Sequence, residues 1–66
     1  MKTDTLKLIK RGKPYSVFRN TETGQYELWL MAGSKFVEQD DVFDNKTEAL
    51  EALPWAEAGF DYWMNH

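Results

Sequence analysis

Four carboxylates crowd one short stretch of this chain: Glu38, Asp40, Asp41 and Asp44. Hard cations take oxygen ligands, so such a cluster is the first place to look for a metal. The order of a calcium loop, with alternating Asp or Asn ligands, a central glycine and a closing Glu, is absent, and no metal site is expected. The only histidine, His66, stands at the last position, and there is no cysteine. Imidazole and thiolate chemistry are therefore not expected. Ser16 and Ser34 lack a His–carboxylate pattern around them. Gly12, Gly24 and Gly33 are too dispersed for a phosphate-binding loop. A chain of 66 residues also offers little room for a substrate cleft. The expectation is a protein without catalysis and without a cofactor, whose acidic cluster is a surface for a partner.

The remaining chemistry is basic and aromatic. Lys7, Lys10, Arg11, Lys13 and Arg19 fall close together, interleaved with Tyr15 and Phe18. Residues 1–35 carry seven cations against three carboxylates, a net of +4, and residues 36–66 carry one against eight, a net of −7. The chain is thus electrically polar along its length. Either the halves attract one another within the fold or are simply solvated faces, or one pole meets a partner of opposite sign. Trp, Tyr and Phe make up 15% of the chain, and these residues are favoured interface anchors.

Two functions follow. The first is a regulatory or inhibitory binding protein that docks on a larger protein, using the acidic surface and an aromatic face of Phe18, Trp29, Met31, Trp55 and Trp63. Small inhibitors of phages and mobile elements are similar in size and composition. The alternative is nucleic-acid binding through the basic N-terminal hairpin. A three-stranded sheet backed by a helix can lie in a DNA groove, and the strand–strand–strand–helix order resembles, in layout, the arm-binding domains of phage integrases. Against that stand the net charge of −3 and a pI near 4.9.

The elements that must position these residues are organised around Tyr26–Met31. Large apolar side chains occupy both parities there, which predicts a central strand covered at least partly on both sides. Thr5–Lys10 reads as a first strand with Leu6 and Leu8 inward, and Tyr15–Arg19 as a second. Gly12 supplies a turn through its access to positive φ. If Thr21–Gly24 form a four-residue loop, Val17 faces Leu28 and Phe18 faces Glu27. One face then carries Tyr15, Val17, Tyr26, Leu28 and Leu30; the second carries Ser16, Phe18, Glu27, Trp29 and Met31. Lys35–Glu38 is a short edge strand, followed by an acidic loop at 39–41. Asn45 and Glu48 form a capping box, and Ala49, Leu50, Ala52 and Leu53 form the apolar stripe of a helix. Pro54 ends that run or opens another turn as its first residue, and residues 54–64 make a short second helix or an ordered tail.

The predicted fold class is α+β: one domain over residues 1–66, an antiparallel meander of three to four strands packed with a C-terminal helix. The tail is expected to fold over the second sheet face, burying Phe18, Trp29 and Met31 under Trp55, Phe60 and Trp63; a homodimer through that face is the competing arrangement. No apolar run is long enough for a membrane span, and no signal peptide is visible, so a cytoplasmic protein is expected.

Overall fold

The computed structural model describes residues 5–64. Four strands, β1 (Leu6–Arg11), β2 (Tyr15–Asn20), β3 (Tyr26–Ala32) and β4 (Lys35–Phe43), precede one helix, α1 (Lys46–Met64). The strands pair antiparallel in sequence order, so β1 and β4 are the two edges. This is a four-stranded meander packed against one helix, an α+β fold.

The central hairpin has the expected register throughout: Tyr15 faces Leu30, Ser16 faces Trp29, Val17 faces Leu28, Phe18 faces Glu27 and Arg19 faces Tyr26. Its loop explains why. Asn20 Oδ1 accepts the N–H groups of Glu22 and Thr23, at 2.9 and 3.2 Å, and Gly24 closes the turn at φ 77°. Asn20 N–H then donates to the Gln25 carbonyl at 2.8 Å. At the β3–β4 turn Gly33 has φ 65°, and Ser34 keeps a negative φ. That is the II′ arrangement, which suits the twist of a tight hairpin.

The core lies between this sheet and α1. Val17, Leu28, Ala49 and Leu53 are buried, and Ile9, Tyr15, Tyr26, Phe43 and Ala56 pack around them. Asn45 caps the helix, its Oδ1 accepting the Glu48 N–H at 2.8 Å. Ala49, Leu53, Ala56 and Phe60 then recur at helical spacing, and the first three pack into the core.

Four expectations are corrected. In β1, Leu8 pairs with Phe18 and lies on the sheet face away from the helix, while Ile9 joins the core. A bulge between Leu8 and Lys10 sets Lys10 opposite Val17 and Arg11 opposite Ser16, which turns Arg11 to the open face. Residues 39–41 are not a loop: β4 runs on to Phe43, with irregularities opposite Leu28–Trp29 and Leu30–Met31. Bulges suit an edge strand, because they spoil it as a template for further pairing. The segment after Pro54 is neither a second helix nor a tail, since α1 is continuous through the proline to Met64. Nor does it fold over the second sheet face: Phe60 meets Tyr15 edge-on, ring centroids 6.1 Å apart, and Trp55 and Trp63 stay exposed rather than covering Phe18, Trp29 or Met31.

Candidate functional site

The meander and its single helix leave two surfaces on opposite sides of the molecule. One is the open sheet face. Phe36, delivered by β4, sits between Phe18 and Trp29, with ring centroids 4.9 and 5.1 Å away. These rings shield one another, so Phe18 is buried without help from the tail. Glu27 lies among them, nearly inaccessible, with both carboxylate oxygens engaged. Oε1 accepts the Trp29 indole N–H at 2.8 Å and Oε2 accepts Asn20 Nδ2 at 3.0 Å. A buried carboxylate is tolerable only when hydrogen-bonded in this way.

Toward the β1–β2 turn the same face hollows into an open cavity of about 660 Å³. Leu8, Phe18, Met31 and Phe36 supply its apolar walls; Arg11, Lys13, Ser16 and Ser34 supply polar groups, and Phe60 and Asp61 come from the far end of α1. Glu57, one turn before that end, fastens the helix to the turn by accepting the Lys13 N–H at 2.6 Å. Gly12 is required there by space. A Cβ at Gly12 would run into the Glu57 carboxylate and lie 2.6 Å from the Tyr15 carbonyl oxygen. Its φ is not positive, so the conformational reason expected for this glycine is replaced by a steric one.

The other surface is the outward side of α1. Trp55 and Tyr62 are seven residues apart, two turns, and share a face; Trp63 flanks them. Trp55 is 80% exposed and Trp63 is 78% exposed, so neither belongs to the core. Glu48, Glu51 and Asp61 are exposed on the same helix, and after Lys46 it carries no basic residue.

The acidic residues singled out in the sequence lie near this second surface. Glu38 and Asp41 of β4 face Leu30 and Leu28 across the ladder, which puts them on the helix side, and Asp40 lies within a bulge. Burial, with the Asp40 and Glu38 carboxylates nearby, holds the Tyr15 phenol above its ordinary value of 10.0. Asp44 follows the strand and accepts Gln25 Nε2 at 3.2 Å. Among the described residues no group of three His, Cys, Asp or Glu side chains converges on a point where a metal could sit. His66 lies outside the described residues.

The basic residues are divided. Lys7 and Arg19 form a cross-strand pair, and Lys10 faces Val17, all three on the helix side at the β1 edge. Arg11 faces the open side, and Lys13 occupies the turn. The five aromatic-face residues are likewise split, with Phe18, Trp29 and Met31 under the sheet and Trp55 and Trp63 on the helix. Ser16, Glu27 and Phe36 were missed as surface-forming residues. The strand parity that put Ser16 and Glu27 among the aromatics could have found the first two. Compared with protein-family models, with curated proteins and with solved structures, the chain matches none. No helix among the described residues is long and apolar enough to cross a membrane.

Proposed function

We propose that this is a non-enzymatic binding domain that docks on a basic surface of a larger protein through the outward side of α1, acting there as a regulator or inhibitor. The observation that carries this reading is the exposure of Trp55 and Trp63 on a helix whose only cation is Lys46. Two exposed tryptophans on so small a body favour a covering partner, since Trp is among the residues that dominate binding energy when buried at an interface. Glu48, Glu51 and Asp61 around them, with Glu38, Asp40 and Asp41 on the same side, match a cationic partner and repel an acidic one. A cytoplasmic setting belongs to this reading and is compatible with a chain that has no cysteine.

The test is capture from the source cell by the immobilised protein, run beside the double variant Trp55→Ala, Trp63→Ala. Both positions are exposed, so the variant should melt as the wild type does. A protein retained by the wild type at low salt and lost by the variant supports the reading. An identical set of retained proteins for both sinks it.

Nucleic-acid binding is the second reading, favoured by one observation: Lys7, Lys10, Arg11, Lys13 and Arg19 form no ion pair with a carboxylate among the described residues. Their division between the two sides of the sheet edge weakens it. Retention on heparin or bulk DNA that falls steeply with salt would favour it over protein docking.

A further inference from the structure

Ser16 is only 4% exposed, yet its hydroxyl has no hydrogen-bond partner among the described residues. A polar group sealed away in that state would be costly. It is not sealed, because it opens into the cavity of the open sheet face. Directly across the ladder stands Arg11, a guanidinium with no carboxylate partner among the described residues, also lining the cavity. The β1 bulge creates this pairing. With unbroken register Lys10 would face Ser16 and Arg11 would point to the helix side, and bulges commonly re-aim a side chain in this manner.

A neutral donor and a cationic fork, neither paired among the described residues, therefore share one end of an apolar hollow. We infer that this cavity is a binding site for a small amphiphilic carboxylate. Its carboxylate takes the Arg11 guanidinium and the Ser16 hydroxyl, and its apolar or aromatic body lies along Phe18, Met31 and Phe36. Arginine matches a carboxylate in planar, two-pronged fashion. The volume, about 660 Å³, is within the range of small-ligand pockets, which combine apolar walls with a few placed polar groups. Lys13 adds a second positive charge at the lip. Asp61 offsets part of it, which favours a monoanion over a dianion. The cavity shares Asp61 with the docking side of α1 but neither of its tryptophans, so the Arg11 and Ser16 contacts can be tested apart from helix docking.

The experiment is an NMR titration of the full chain with 2-naphthoate, and with 2-naphthylmethanol as the uncharged probe of the same shape. The site predicts saturable shifts at Phe18, Met31 and Phe36, with the acid bound more tightly than the alcohol. Arg11→Gln, an exposed position whose fold is checked from its amide spectrum, should weaken the acid by roughly tenfold or more and leave the alcohol unchanged. Ser16→Ala should weaken the acid in the same direction, and Trp55→Ala should leave both probes unchanged. Equal affinity for acid and alcohol would overturn the assignment by reducing the cavity to an apolar contact. Absence of saturable shifts, shifts confined to Trp55 and Trp63, or indifference of the acid to both Arg11→Gln and Ser16→Ala would overturn it as well.

Discussion

Tyr15 shows how one side chain joins three elements. It leaves β2 on the helix side, meets Phe60 of α1 through its ring, and places its hydroxyl within the field of Asp40 and Glu38 on β4. Burial first, then the two carboxylates, disfavour the phenolate, so the folded state holds its proton to higher pH than the unfolded chain. The sign follows directly. Below pH 10.0 the group is protonated in both states and contributes no slope; above it the folded state binds more protons, and ionisation of the unfolded chain pulls stability down. Denaturant melts should show stability falling with pH from about pH 10 upward, and Tyr15→Phe should flatten part of that slope. A slope identical in the variant would mean that Tyr15 is not the group responsible.

At the scale of elements, the most informative feature is a helix that runs through its own proline. Pro54 has no N–H to give the Leu50 carbonyl, and a proline inside a helix costs about 3 kcal/mol. The second half of α1 persists because it is anchored independently. Ala56 packs on the core, Phe60 meets Tyr15, and Glu57 holds the Lys13 N–H. Pro54 is exposed, so Pro54→Ala should restore the missing hydrogen bond without disturbing packing. The expected gain is about 1–3 kcal/mol, read as a higher unfolding midpoint; an unchanged or lower midpoint would show that the ring itself contributes something alanine cannot.

The same elements show what was legible beforehand and why. The 15–30 hairpin could be registered because its loop length is set by polar turn residues and its two parities differ in chemistry. The extent of β4 could not. Gln39, Asp40 and Asp41 are poor strand formers locally, and only pairing with β3 holds them extended. The helix beyond Pro54 was hidden for a related reason, since local propensity argues for a break that tertiary contacts override. For the surfaces, Trp55 and Trp63 were recognised by type, but their separation from Phe18, Trp29 and Met31 depends on the path of α1. Ser16 and Arg11 become neighbours only through a bulge, which no periodicity foretells.

Seen whole, the molecule is thin, 38 × 24 × 14 Å in its principal extents, with one layer of core. Val17 and Leu28 are its largest fully buried side chains, paired with each other and covered by Ala49 and Leu53. A domain near this size buries only about 60% of its unfolded surface, and a chain without cysteine has no disulfide to add to a core this small. Leu28→Ala should therefore cost about 2–5 kcal/mol, of the same order as the stability of the whole domain. Calorimetry should show a broad, low transition or none; a sharp melt near the wild-type temperature would place the core elsewhere.

The order of the strands has one more consequence. Lys7 and Lys10 line one rim of the sheet, and Glu38, Asp40 and Asp41 line the other. Three strand spacings separate the rims, about 14 Å, whereas salt at physiological strength screens charge beyond about 8 Å. The two rims therefore do not neutralise each other, and no ion pair forms between them among the described residues. The sheet is an in-plane electric dipole whose inner strands carry one charge each, Arg19 and Glu27. A charged macromolecule approaching it exerts a torque before it makes contact, so the encounter begins with one rim already turned to face the arrival.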